Sequence, residues 1–447
     1  MSWILNHIKE QEDRIAIVFD NKLYSYNDLF ICINTFYDEV VKQISKGSTV
    51  AIVSDYCFES IALFFALSKN KNIIVPITSK IEKEIEERIE VAVCKYSISI
   101  IEGKLIIESI SNKGQTHQLV QSLINQSLAG LVLFSSGSTG SPKAMIHNLD
   151  NLIASFQNKK RKDFVFLIFL MFDHIGGLNT LLNCISLGVK IVFPSNRNPE
   201  YISSLIEKYN VNILPASPTF LNLVLLSQSH LSYDLSSLKM ITYGTEPMPD
   251  SLLLKLRNTF PRIKFLQTFG TSETGISQTE SKSSSSTFIK LDDPNIEHKV
   301  VENELWLRSK TQILGYLNSS MEKFTDDGWF KTGDIVEKSD DGFLKIIGRG
   351  SEIINVGGEK VLPSAVESVL FQMPEVDDCI VYGEPNPIMG QMVVAKLLFN
   401  KKVSILEAKK MVRHFCKDKL ERYKIPVKIL LLNESEFSDR FKKKRIL

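Results

Sequence analysis

The sequence predicts an α/β protein: a large N-terminal domain of wound α/β subdomains with a short β-rich subdomain, followed by a small α+β C-terminal domain. Three observations predict it. Short β-branched runs alternate with amphipathic helical stretches through the first 270 residues, the pattern of a largely parallel sheet. Past the Ser-rich stretch Ser281–Thr287 the alternation gives way to short strands separated by turn signals. Beyond residue 348 strands and a basic helix recur on a smaller scale, which places the domains at 1–348 and 349–447.

In order, strands are expected at Thr49–Ser54, Ile73–Ile77, Gly130–Phe134, Val165–Leu170, Lys190–Phe193, Asn212–Leu214, Met240–Tyr243 and Lys264–Phe269. Helices are expected between them at Cys57–Leu67, Ile81–Lys95, Gly177–Leu187, Pro199–Tyr209 and Asp250–Thr259. Asp327-Gly328, Asp341-Gly342 and Gly357-Gly358 mark turns in the β-rich part. The last part carries strands at Cys379–Tyr382, Met392–Leu398 and Val427–Leu432 and a helix at Ser404–Arg422.

Composition removes several function classes. The 447 residues carry 53 Lys+Arg against 51 Asp+Glu, a net charge of +2 that gives no general electrostatic case for nucleic acid. The six cysteines are scattered without CxxC pairs or His/Cys metal spacing, which suits a reducing cytosol. The N-terminus mixes charges instead of forming a signal-peptide core. The greasiest run, Phe164–Phe172, is bracketed by aspartates and is about half of the roughly 20 residues a membrane helix needs. A cytoplasmic protein without a membrane span is expected.

The chemistry starts at Phe134-Ser-Ser-Gly-Ser-Thr-Gly-Ser-Pro-Lys143, after an apolar strand and before a helical stretch beginning near Asn148. Glycines let backbone N–H groups approach phosphate oxygens, hydroxyls add donors and the lysine adds charge. The spacing is not that of the Walker loop, because Pro142 precedes the lysine and Ala144 follows it. Further on, Gln267-Thr-Phe-Gly-Thr-Ser-Glu273 offers an aromatic face, a hydroxyl and a hard oxygen ligand within seven residues. Taken without context, a helix cap is the better account of it.

The ten-residue loop resembles the signature of the adenylate-forming superfamily: acyl-CoA synthetases, peptide-synthetase adenylation domains and luciferase. The match runs from Ser135 to Lys143 and departs at Ala144. The resemblance implies that Ser135, Ser136, Gly137, Ser138, Thr139, Gly140 and Lys143 hold the β/γ-phosphates of ATP. It extends to Gln267–Glu273, with Ser272 standing for Thr. Thr268, Phe269, Gly270 and Ser272 would hold the nucleotide, and Glu273 would bind Mg²⁺. Tyr243-Gly-Thr-Glu-Pro247 would supply Gly244, Thr245 and Glu246 as the adenine-edge loop. Gly328-Trp-Phe-Lys-Thr-Gly-Asp334 assigns Asp334 to the ribose hydroxyls, and Gly348-Arg349 assigns Arg349 to ribose or phosphate.

The segment from Ser351 to Glu367 resembles the family's domain-swing region, with Ser351 as the hinge of a mobile lid. Gly357-Gly358 reads as a pantetheine-side strand by the resemblance and as a plain hairpin turn without it. Aligning the tail Phe437–Leu447 with the family's ending puts Lys442 on the catalytic lysine, with Phe441 where glycine is usual. Lys443 and Lys444 compete for that role. Met171-Phe-Asp-His-Ile-Gly-Gly-Leu178 resembles the acyl-pocket segment, making His174 a catalytic-site residue beside the carboxylate. Asp173 is the rival, since amino-acid-activating members use such an aspartate for the α-ammonium.

The resulting expectation is an acid–thiol ligase: a carboxylate attacks the α-phosphorus of MgATP, and a thiol, CoA first of all, takes the acyl group from the adenylate. Transfer to a carrier-protein phosphopantetheine and a catalytically inactive nucleotide-binding scaffold are the alternatives.

Overall fold

The computed structural model describes residues 2–112, 114–135, 142–438 and 441–443. Two seven-stranded sheets dominate it. In the first, Lys264–Gln267, Met240–Tyr243, Ile213–Ala216, Val165–Leu167, Lys190–Phe193 and Ile15–Phe19 run parallel, and Lys22–Ser25 closes the edge as a hairpin. In the second, Gly130–Ser135, Ile73–Ile77, Thr49–Val53 and Tyr96–Ile101 are parallel neighbours, flanked by antiparallel strands at both edges. All five residues of Ile73–Ile77 are buried, as expected for a strand covered on both faces.

The helices Tyr26–Gln43, Phe58–Lys69 and Ile175–Leu187 contribute to one core with residues from both sheets. Every residue of Phe58–Lys69 except Glu59 and Lys69 is buried, so the helix occupies a central position. A six-stranded antiparallel sheet spans Thr279–Arg349 in sequence and has its own small core around Ile289, Leu305 and Val336. The C-terminal part folds on a five-stranded sheet and the helices Pro363–Leu370 and Ile405–Cys416, with a separate core running from Ile354 to Ile429.

Most expected elements are present, with two informative differences. Lys143–Asn148 is an unexpected strand, antiparallel to Gly130–Ser135, while the helix Leu149–Ala154 begins where expected, with Asn148 as its cap. The phosphate loop therefore joins two strands and does not open a helix. The expected strand Lys264–Phe269 breaks after Gln267, because Phe269–Thr271 turns away to pair with Gly275–Ser277. Gly357 and Gly358, at φ +61° and +93°, form a two-residue hairpin between Ile354–Val356 and Glu359–Val361. Both positive angles belong to the turn type that matches strand twist, so the plain hairpin reading accounts for this pair.

The parallel sheet also fixes where a ligand can sit. From Val165–Leu167 the chain proceeds to Lys190–Phe193 on one side and to Ile213–Ala216 on the other. Such a reversal leaves a crevice at the carboxyl ends of the strands.

Candidate functional site

The crevice is real: a cleft of about 530 Å³ opens beyond those strand ends. Leu170, Ala216, Gly244, Thr245 and Thr268, each just at or past a strand terminus, form one wall. Backbone proximity shapes it. A Cβ on Gly244 would lie 2.7 Å from both the carbonyl oxygen and the hydroxyl of Thr268, so only glycine admits the two loops side by side. Thr245 holds φ +74°, a sparsely populated region for a β-branched residue, at the cleft wall. Phe269, Gly270 and Ser272 continue the lining, and a Cβ on Gly270 would fall 2.4 Å from the Gly275 carbonyl across the short hairpin.

Opposite, Ser135 and Lys143 face each other as a register pair at the base of the phosphate loop, and both line the cleft. Ser136 to Gly140 lie outside the described residues. Lys143 Nζ sits 5.6 Å from the ring centre of Tyr316, whose hydroxyl donates to Glu273 Oε1 at 2.8 Å. Tyr316 thereby ties the phosphate-side cation to the carboxylate. Burial and the adjacent Glu273 push its phenol well above the tyrosine range, so it remains a donor. Ala144, the departure from the family loop, is fully buried within a strand; its N–H donates to Asn318 Oδ1 at 2.9 Å. Nothing at this position calls for glycine.

Asp334 and Arg349 form a cross-strand pair, Nε to Oδ1 at 3.2 Å. Arg349 lines the cleft, and the buried Asp334 stands directly behind it. Burial pushes the Asp334 carboxyl above its ordinary value, while the guanidinium opposes that shift.

His174 caps the helix Ile175–Leu187, its Nδ1 accepting from the Gly176 N–H at 3.1 Å. That bond makes Nε2 the protonated nitrogen of the neutral ring. A side chain at Gly177 would collide with the Met171 carbonyl at 2.2 Å, which fixes how tightly this corner closes. Asp173 does not line the cleft; it is buried and pairs with Arg88 at 3.3 Å. The aspartate rival therefore points away from the cleft.

Two of the expected residues prove to have other partners. Glu246 is absent from the cleft lining. Its carboxylate accepts from the Thr219 N–H at 2.8 Å, at the start of the helix Pro218–Leu226, and from the Lys443 N–H at 3.3 Å. A carboxylate there complements the helix N-terminus, so an acid in this loop does not have to meet the nucleotide. Lys443 is also engaged: its Nζ donates to the Cys379 carbonyl at 2.7 Å, reaches Glu367 at 3.4 Å and lies 4.5 Å from the Phe371 ring centre. Lys442, between these anchors, lines the cleft.

Phe441 is the third anchor. It adopts φ +52°, the left-handed geometry for which glycine is the usual residue. Its ring packs against Phe169, Phe220 and Phe437 at centroid distances of 4.9, 5.7 and 5.0 Å, and its carbonyl accepts from Ser217 Oγ at 2.7 Å. The tail is held on the large domain on one side of Lys442 and on the small domain on the other.

The AMP-binding enzyme family profile matches residues 5–317, and the profile of its C-terminal domain matches 365–440. The chain belongs to the AMP-binding enzyme family. Among curated relatives, a 2-succinylbenzoate–CoA ligase of Bacillus cytotoxicus is 27% identical over 97% of this chain and 95% of its own length. A 4-coumarate–CoA ligase-like protein of Arabidopsis thaliana is 29% identical over 61% of this chain and 53% of its own. Among solved structures, the anthranilate CoA ligase AuaEII in complex with anthranoyl-AMP superposes with a TM-score of 0.81 at 19% identity, over 97% of this chain and 94% of that one. The Bacillus subtilis o-succinylbenzoate CoA synthetase bound to its acyl-adenylate gives 0.76 at 21%, over 97% and 95%. These structural likenesses establish the fold: a large N-terminal domain and a small C-terminal one.

For this family member, sequence reasoning passed over Tyr316, Asn318 and the anchoring role of Phe441. The one local signal for the first two was Gly315-Tyr316 between turn residues, and their importance appears only once the strand pairs with Met145–Ile146.

Proposed function

We propose that the chain is an AMP-forming acid–thiol ligase that activates a small carboxylic acid with ATP and transfers the acyl group to CoA. The observation that carries this reading is the convergence of Lys143, His174, Glu273, Arg349 and Lys442 on one cleft at the strand ends of an AMP-binding fold. The same reading puts the boundary between the domains at 348/349 with Ser351 as the hinge, and the position of Ser351 in the cleft lining supports it.

A carboxylate is a poor acyl donor because its leaving group would be oxide; adenylation supplies AMP instead. In the first half-reaction a carboxylate oxygen bonds to the α-phosphorus and the bond to pyrophosphate breaks. His174 Nε2–H orients the acid, Lys143 and the loop beginning at Ser135 hold the β/γ-phosphates, and Lys442 neutralises charge between carboxylate and α-phosphate. Phe269 offers a face to adenine, and Asp334 with Arg349 holds the ribose. In the second half-reaction the thiol sulfur bonds to the acyl carbon and AMP departs.

Glu273 fits Mg²⁺. Tyr316 engages only Oε1, and the described residues contain no cluster of three metal-ligating side chains, so a cation here would share one carboxylate with substrate phosphates. When bound, the ion supplies charge neutralisation to the triphosphate.

ATP–pyrophosphate exchange over a panel of carboxylic acids, followed by acyl-thioester formation with CoA, tests the proposal. Absence of exchange with every acid, in protein that still binds ATP, would overturn it.

A further inference from the structure

The helix Pro218–Leu226 is apolar apart from polar residues at its start: Ser217 at the cap, Thr219 and Asn222. All three are buried, and buried polar groups cost free energy unless they are paired. Their partners lead to the tail and the small domain. Asn222 Nδ2 donates to the Asp377 carbonyl at 3.1 Å. Ser217 Oγ accepts from the Phe220 N–H at 3.1 Å, which caps the helix, and donates to the Phe441 carbonyl at 2.7 Å.

Glu246 does the same double duty. Its Oε1 accepts the N–H and the hydroxyl of Thr219, and its Oε2 accepts the Lys443 N–H at 3.3 Å. One carboxylate oxygen therefore serves the helix and the other serves the tail. This answers what an acid is doing at this position once it is found outside the cleft lining.

The two tail contacts fall on Phe441 and Lys443, one residue to either side of Lys442, and both are made to the main chain. Together they fix the backbone at position 442, whose side chain lines the cleft. Hydrogen bonds of this kind are exchanged for water when the partner leaves, so they suit a dock that forms and breaks.

We propose that Glu246, with Ser217, is a positioning residue of the adenylation half-reaction: the start of the helix Pro218–Leu226 is a two-point receptor for the tail main chain that sets where Lys442 enters the cleft. The inference rests on the ligase reading and deepens it. Because Lys442 serves adenylation, the receptor acts on that half-reaction and leaves attack by the thiol untouched.

Glu246→Gln is the discriminating variant. Its amide oxygen still accepts from Thr219, while its NH₂ replaces the oxygen that Lys443 N–H meets and sets donor against donor. Acid-dependent pyrophosphate release and thioester formation from supplied acyl-adenylate and CoA are timed separately. The variant should lower kcat for pyrophosphate release about tenfold with KM for ATP and acid unchanged. Thioester formation and the thermal unfolding midpoint should match wild type. Ser217→Ala, which removes the other tail contact, should divide the two half-reactions in the same way. Unchanged pyrophosphate release in Glu246→Gln, or equal loss in both half-reactions, would overturn the assignment. If wild-type protein turns over no acid, the ligase reading falls, and the rate of tryptic cleavage between Lys442 and Lys443 still decides the receptor. Faster cleavage in Glu246→Gln than in wild type upholds it, and equal rates overturn it.

Discussion

Phe441 offers the sharpest test of how the tail is held, because two substitutions there should differ in a specific order. Removing the ring in Phe441→Ala deletes its contacts with Phe169, Phe220 and Phe437. A fully buried Phe→Ala change costs about 3–5 kcal/mol. Phe441 is only partly buried, so about 2 kcal/mol is the appropriate loss. At 1.36 kcal/mol per decade this lowers the docked population of Lys442 by up to about 30-fold. Phe441→Gly loses the same ring but relieves a left-handed backbone strain of about 1 kcal/mol, since φ is +52°. Its deficit should therefore be only about fivefold. Initial rates of pyrophosphate release at saturating ATP and acid should fall in the order wild type, Gly, Ala, while thermal unfolding of the protein stays nearly constant. Tryptic cleavage of the tail should accelerate in the same order. An alanine variant faster than the glycine variant, or two variants as fast as wild type, would refute the argument that ring packing opposes backbone strain to place Lys442.

Lys442→Ala should nearly abolish acid-dependent pyrophosphate release while sparing thioester formation from supplied acyl-adenylate; rapid-quench measurement of both half-reactions checks this, and equal losses would remove Lys442 from the adenylation step. Tyr316→Phe deletes the 2.8 Å bond to Glu273. A bond to a charged acceptor contributes about 1.5–3 kcal/mol, so the Mg²⁺ concentration for half-maximal velocity should rise about tenfold or more. A metal titration of the initial rate measures it. His147 is fully buried, and burial lowers its pKa from 6.5 to about 4. The unfolded chain takes up a proton below pH 6.5 that the folded chain refuses until about pH 4. Stability should therefore fall by up to about 3 kcal/mol across that window, with no further loss from this group below it. Denaturant titrations of wild type and His147→Gln at several pH values should show the slope reduced in the variant.

Much of the architecture was legible because its signals are local. Ile73–Ile77, Lys190–Phe193 and Met240–Tyr243 are short apolar runs between turn residues, and each is the strand its composition describes. The cleft residues Gly244, Thr268, Phe269, Ser272 and Glu273 cluster because their motifs follow successive parallel strands, whose carboxyl ends necessarily open on one side. What was not legible depended on distant pairing. Lys143–Asn148 became a strand because Gly130–Ser135 and Gly315–Tyr316 border it on either side, the second from a position far along the chain. Glu246 reads as a nucleotide residue until the helix at Pro218 is seen to start beside it.

The tail shows most clearly where local information stops. Lys442, Lys443 and Lys444 are chemically identical and consecutive, so no property of the side chains themselves can rank them. In the folded chain Lys443 bridges to Phe437, while the side chain before it lines the cleft. The Lys443 side chain is 9% exposed beside Glu367, Asp378 and the Cys379 carbonyl. An ammonium buried there is costly to extract, because it would leave the nearly inaccessible Glu367 carboxylate without that cation. With Phe441 seated in its aromatic pocket on the other side, Lys442 is presented to the cleft by its neighbours on both flanks. The phenylalanine in a glycine position thus reads as a substitution of one constraint for another: backbone freedom is given up, and ring packing against the large domain fixes where the next side chain goes.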